Sequence, residues 1–210
     1  IVIHDDDDSC SQSFLARTVD YMDERGWNGR IGGVITWSWL IVEALDDAGR
    51  WEQRSRSIYD ETLRTVSLVD LAIENRFPPI SFLFRRAALD AVGPFREEHT
   101  VLGDWDFHLR VLERFDIRVI PGPLANYHHR AQTTSGAYGN SVHTQTDLHR
   151  SARIALINDA VRDAMTHPTQ WSRSHLLASA ELHRTAMSGH AKSFDLLRSE
   201  IGRLERRLDH

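Results

Sequence analysis

The sequence predicts an α/β domain followed by a helical C-terminal region. Three observations lead there. Ile1-Val2-Ile3 is a β-branched apolar run, and such runs mark parallel strands buried on both faces. Residues 31–43, "IGGVITWSWLIVE", are rich in the β-branched and aromatic residues that fit a pleated surface. Between and after these runs, apolar residues recur at spacings of three and four, the period of an amphipathic helix.

The elements follow in order. Ile1 to His4 form a strand and Asp5 to Asp8 a loop. Ser9 and Gln12 have the S-x-x-Q spacing of a capping box. Phe14, Leu15, Thr18, Val19 and Met22 then repeat at helical spacing, so a helix is expected over residues 10–25, ended by Gly26 and Gly29. After the strand at 31–43, "DDAGR" (46–50) is a turn and Trp51 to Ile58 a returning strand. Residues 66–75 read as a helix that ends before Pro78-Pro79. "ISFLF" (80–84) is a buried strand, and "RRAALDAVG" (85–93) a short helix stopped by Gly93-Pro94.

"DWDFHLRVLERF" (104–115) is an amphipathic helix with Trp105, Leu109 and Leu112 on one stripe and Asp106 paired to Arg110 four residues on. "IRVI" (117–120) is a strand closed by Pro121-Gly122-Pro123, and "LANYHHR" (124–130) a separate one. The polar segment 131–146 reads as a loop with Tyr138 at its tip. From residue 147 the chain turns helical, giving expected regions of 1–146 and 147–210. Phe194, Leu197, Ile201, Leu204 and Leu208 form a short a/d seam, suited to a homo-oligomer or to packing on its own domain.

Composition narrows the function classes. A hydrophobic content of 41% with 26% charged residues describes an ordinary globular chain with enough material for a core. The net charge of −5 argues against non-specific nucleic-acid binding. The single cysteine, Cys10, excludes an internal disulfide and an all-cysteine zinc site, which fits a reducing compartment. No apolar run reaches transmembrane length. The expected location is the cytoplasm, or the inner face of a membrane as a peripheral protein. Because Ile1 lies inside an apolar run, the chain reads as the later part of a longer protein.

Several constellations carry chemistry, each with a plainer alternative. Asp5 to Asp8 are either a solvated acidic run or carboxylates at the end of a strand, where ligands of α/β folds sit. Carboxylates crowded in a partly dry site repel one another, and a hard divalent cation relieves the repulsion. In "VLGDWDFHLR" (101–110), Asp104 is either a simple N-cap or a general base at a helix start, where the helix favours its anionic form. In "YHHR" (127–130), an imidazole suits a metal and the planar fork of Arg130 suits phosphate, or the group is a surface basic cluster. Arg85 and Arg86 in "FLFRRAALDAVGPF" are either phosphate ligands or helix-start surface residues.

Together, in this order and spacing, residues 1–130 resemble the family 2 nucleotide-sugar glycosyltransferases of the GT-A fold. "HDDDDSC" looks like the family's D-x-D motif, "LGDWDFHLR" about 100 residues later like its E-D helix start with a glycine in place of the glutamate, and "IPGPLANYHHR" like the strand that follows. The resemblance implies a partial GT-A-like mixed sheet flanked by helices, lacking the nucleotide-binding half. It implies Mg²⁺ or Mn²⁺ at Asp5 and Asp7, with Asp6 and Asp8 as an alternative register. It further implies His128 at the metal, Asp6, Asp8 and Arg130 near the donor diphosphate, and Arg85, Arg86 and Trp105 toward acceptor or phosphate. Trp37 and Trp39 are further candidates for stacking on a sugar. Asp104 takes the place of the catalytic base, in an inverting transfer from a nucleotide-sugar donor to a saccharide or glycoconjugate acceptor. Which of His128 and His129 faces the site stays open. The competing readings are a metal-dependent phosphoesterase and a non-catalytic module that associates through its C-terminal helices.

Overall fold

A 15-residue strand, β2 (Ile31–Leu45), organises the sheet. Its first six residues are all buried, as a β-branched strand covered on both faces requires. On one edge it pairs in parallel with β5 (Asp116–Arg130). On the other edge it has two antiparallel neighbours in turn. β4 (Phe82–Phe84) lies against Gly33–Ile35, and β3 (Trp51–Ile58) lies against Trp39–Leu45. The sheet therefore forks at Thr36–Ser38. β1 (Ser9–Cys10) pairs antiparallel with β5 at Asn126 and Ala125. The result is the expected α/β fold, with a mixed five-stranded sheet of order β1-β5-β2-β3 and β4 joined to β2.

The computed structural model of the protein describes residues 1–24, 29–97, 101–130, 142–168 and 172–188. The chain divides into two compact units, Ile1–Ala155 and Leu156–His210. The helices of the first are α1 (Phe14–Glu24), α2 (Leu68–Ile73), α3 (Arg86–Val92), α4 (Gly103–Leu112) and the start of α5 (Val142–Thr166). The second holds the rest of α5 and a helix over 173–188, with Ile157, Ala160, Leu177 and Ala180 buried. No helix among the described residues is long and apolar enough to cross a membrane. Residues 131–141, Tyr138 and the seam from Phe194 to Leu208 lie outside the described residues, and 142–146 belong to α5 rather than to a loop.

The two faces of the sheet are filled by different helices. Phe14, Thr18 and Met22 form the buried stripe of α1. Met22 packs with Ile31, Val34, Leu83 and Ile120, and Phe14 with Ile80, Leu124 and Ala125. α4 covers the other face. Phe107 stacks on Phe95 at 4.4 Å and meets Phe84, while His108 stacks on Phe77 at 4.3 Å. Gly33 lets β4 approach: a Cβ there would lie 2.6 Å from both the Leu83 carbonyl oxygen and the Phe82 ring.

The expected Asp106–Arg110 pair forms, at 2.8 Å, and both residues are buried. Its guanidinium also donates to the carbonyls of Val92, Gly93 and Pro94, so it satisfies acceptors left over where α3 ends.

Three local expectations are corrected. The capping box does not form, because Ser9 lies in β1 with its hydroxyl engaged by His128 and Asn126, and the helix starts only at Phe14. Ile1-Val2-Ile3 contributes a single antiparallel bridge, Val2 to Leu83, instead of a parallel strand. Residues 117–130 are one strand rather than two. Its register against β2 leaves Pro121, Gly122 and Leu124 without Cα partners, so Pro121 lies in a bulge while Pro123 stays opposite Trp37.

Candidate functional site

The four aspartates close a turn, with the Asp8 N–H donating to the Asp5 carbonyl at 3.3 Å. Asp6 points to water, but Asp8 is buried. The Asp8 Oδ1 accepts the backbone N–H of His128 at 2.9 Å and so continues the β1–β5 ladder with a side chain. Burial, reinforced by the Asp7 and Asp5 carboxylates and opposed by that N–H, pushes Asp8 up to about 7. Asp5 is raised as well, by loss of water and then by Asp7 and Asp6. Asp5 and Asp6 are exposed, as in a solvated acidic run, and the buried Asp8 is what departs from one.

Asp104 stands in the first turn of α4. Its Oδ2 accepts the Asn75 side-chain N–H at 2.7 Å. Burial raises its proton affinity, against the lowering effect of the Trp105 N–H, Asn75, its own N–H and His149 on α5. The expectation that the helix start alone would hold Asp104 low is therefore corrected, since desolvation outweighs the helix N-terminus here.

Tyr127 joins the two motifs. Its phenol is pushed up to about 12 by burial and then by Tyr59, Asp8, Asp104 and Asp7. Carboxylates separated by about 100 residues thus act on one hydroxyl. Tyr59, just after β3, packs against it, and its own phenol is raised by partial burial and by Glu74, Asp104 and Asp60.

Strand alternation sorts the "YHHR" residues, because successive side chains point to opposite faces. Tyr127 and His129 share the Asp104 face and stack on each other at 6.3 Å. His128 and Arg130 point the other way. The His128 ring lies 3.2 Å from the Ser9 hydroxyl through Nε2 and 3.2 Å from the Glu43 carboxylate through Nδ1. Arg130 donates to the same Glu43 at 3.4 Å and sits over the Trp51 ring at 5.0 Å.

Arg85 and Arg86 are also corrected. β4 runs antiparallel to Ile1–Ile3, and Phe84 exchanges backbone bonds with Ile1, so the two arginines follow at the end opposite the aspartates. Arg85 donates to the Met22 carbonyl at 3.0 Å, and Arg86 is exposed at the start of α3. Trp105 is core: it is 1% exposed and donates its indole N–H to the Leu71 carbonyl at 2.6 Å. Trp37 and Trp39 are partly covered by Arg64 and Arg56 at 4.3 and 4.0 Å.

Asn75, His108, Tyr59 and His149 were invisible to motif reading. Asn75 precedes Pro78-Pro79, where an asparagine reads as an ordinary helix end. Arg153, four residues after His149 on α5, donates to the Ile73 carbonyl and covers Trp105 at 4.8 Å.

Among the described residues no three His, Cys, Asp or Glu side chains gather into a metal cage. Mg²⁺ or Mn²⁺ of the expected kind needs only one or two carboxylates beside substrate phosphates. The crowding that raises Asp5 and Asp8 is a donor set such a cation fits. No protein-family model and no curated protein matches the chain.

Proposed function

We propose that the chain carries the metal- and acceptor-binding half of an inverting glycosyltransferase, resembling family 2. It would move a sugar from a nucleotide-sugar donor to a hydroxyl of a saccharide or glycoconjugate, in the cytoplasm or at the inner membrane face. The observation that carries this reading is that Asp8 is bonded to the His128 N–H beside Tyr127, whose phenol also carries the charge influence of Asp104.

Asp104 takes the proton of the acceptor hydroxyl as it attacks the anomeric carbon. Burial makes its carboxylate a stronger base than a solvated aspartate, while Asn75, the neighbouring N–H groups and His149 favour its charged form. General-base help of this kind is worth roughly 10²–10⁴-fold in rate. The Tyr127 phenol, held protonated between the two motifs, is a hydrogen-bond donor toward whichever oxygen lies there. Mg²⁺ or Mn²⁺ bound by Asp5 and Asp7, or by Asp6 and Asp8 in the other register, supplies neutralisation of the leaving diphosphate.

The test is calorimetric binding of UDP, GDP and ADP with and without Mn²⁺, followed by transfer assays from the matching nucleotide sugars. Asp5→Ala and Asp7→Ala should each abolish the Mn²⁺-dependent part of binding. Asp104→Asn should keep binding and lose transfer. Mn²⁺-dependent binding that survives both alanine changes would sink the metal assignment, and transfer retained by Asp104→Asn would remove the base.

A further inference from the structure

We infer that Asn75 is a positioning residue for Asp104, with its amide locked in one orientation by His108. The inference rests on Asp104 acting as the base.

A carboxamide has a donor end and an acceptor end, and the two are not interchangeable beside a carboxylate. Asn75 Nδ2 lies 2.7 Å from the Asp104 Oδ2, and its Oδ1 lies 3.4 Å from the His108 Nδ1. Reversed, the amide would set its oxygen against the Asp104 carboxylate, lone pairs against lone pairs. His108 decides the matter. It is 1% exposed, stacked on Phe77 at 4.3 Å and set edge-on to Phe82 at 5.3 Å, so its ring cannot turn away. Burial holds it neutral, at about 3, and a neutral imidazole carries a single N–H. With that proton on Nδ1 it donates to the Asn75 oxygen, and the amide N–H must then face Asp104.

The backbone on both sides of this contact is fixed. Asn75 follows α2, whose Leu71 carbonyl takes the Trp105 indole N–H and whose Ile73 carbonyl takes Arg153. α2 and the start of α4 are thus tied twice, one tie through the core and one through the Asn75–Asp104 bond. A carboxylate held in this way meets the acceptor hydroxyl in one rotamer, which is what base catalysis requires of its supporting groups.

The groups whose charge acts on Asp104 or shares its surroundings come from several elements: His149 on α5, Tyr59 beside Glu74 and Asp60, and Tyr127 beside Asp8 and Asp7. The measurement must therefore read Asp104 alone. Aspartate is labelled with ¹³C at the carboxyl carbon, and the Asp104 resonance is identified by its loss in Asp104→Asn. It is then followed against pH in wild type, Asn75→Ala, Asn75→Ser and His108→Phe. Far-UV circular dichroism checks that each variant is folded.

The wild-type midpoint should lie above the ordinary aspartate range. Asn75→Ala should weaken the acid further, by ~3–10-fold in its ionisation constant, because the carboxylate loses its N–H donor. Asn75→Ser keeps a hydroxyl donor and should fall between. His108→Phe keeps the stack but releases the amide, and should shift Asp104 the same way by less. In the transfer assay, kcat should fall with KM unchanged for Asn75→Ala. Identical titration of Asp104 in wild type, Asn75→Ala and Asn75→Ser, with Asp104→Asn inactive, overturns the positioning role alone. Transfer by Asp104→Asn overturns the base reading and the positioning role with it.

Discussion

Tyr59 meets Tyr127 edge to face across the fork of the sheet, with ring centroids 5.8 Å apart and planes at 80°. The pair joins the end of β3 to β5 at the level where β2 exchanges one neighbour for another. The Tyr127 phenol carries the influence of Asp8 and Asp104, and the Tyr59 phenol that of Asp104. Such pairs contribute roughly 0.5–1.5 kcal/mol beyond the area they bury. The contact links the stability of the fork to the geometry of the site.

Tyr127 should therefore resist ionisation. With its phenol near 12, wild type and Tyr127→Phe should show the same rise in phenolate absorbance at 295 nm up to about pH 11. The raised folded value also means that the folded state holds this proton more tightly than the unfolded chain does. The Tyr127 contribution is complete below the unfolded value of about 10 and is lost as pH rises toward 12. An extra absorbance step in wild type below pH 11 would contradict this environment.

Asp8 gives a second pH signature. Its folded value near 7 exceeds the unfolded value, so its contribution is complete in acid and is lost as pH rises through 7. Asp8→Asn, whose amide oxygen still accepts the His128 N–H, should be more stable than wild type at pH 8 by on the order of 2 kcal/mol. The two should converge near pH 4. Urea unfolding at both pH values checks the sign, and added Mn²⁺ should shrink the difference if the turn binds the ion.

Trp105→Phe should destabilise the fold by about 1–3 kcal/mol, because the Leu71 carbonyl is left buried without its indole donor. Trp105→Ala should cost about 3–5 kcal/mol through the cavity it opens. Urea midpoints measure both. Wild-type stability in Trp105→Ala would refute its place in the core.

Gly33→Ala places a methyl group 2.6 Å from the Leu83 carbonyl and the Phe82 ring. The strands must separate, and the expected loss is ~1–3 kcal/mol by thermal or chemical unfolding. An unchanged unfolding midpoint would mean that β2 and β4 do not lie this close.

Periodicity made the long elements legible. β2, β3, α4 and the Asp106–Arg110 pair follow from residue pattern alone, because burial on a strand or helix face leaves a repeat in the sequence. β5 reads as two strands because proline is a breaker in isolation, and only the register against β2 puts Pro121 in a bulge and Pro123 opposite Trp37. The capping box failed because the Ser9 hydroxyl finds tertiary partners in His128 and Asn126, and a local motif cannot register that competition.

The site was legible in its carboxylates and illegible in what surrounds them. Asp5 to Asp8 and Asp104 stood out as acidic residues after an apolar run and at a helix start. The Asp8 bond to the His128 N–H and the Asp104 bond to Asn75 join residues far apart in the chain, and no local pattern encodes them. The arginines misled for a topological reason: proximity to a strand says nothing of which end they occupy until its direction is known.

The bulge at Pro121–Leu124 sets the phase of everything after it. Because side chains alternate, removing one residue there would slip the rest of β5 by one position and exchange its faces. Tyr127 would then take the place of Asn126 beside Ser9, and the His128 imidazole would stand where the Tyr127 phenol stands now. Loop length at a sheet bulge, with no substitution at all, selects between a weak acid and a base at this site.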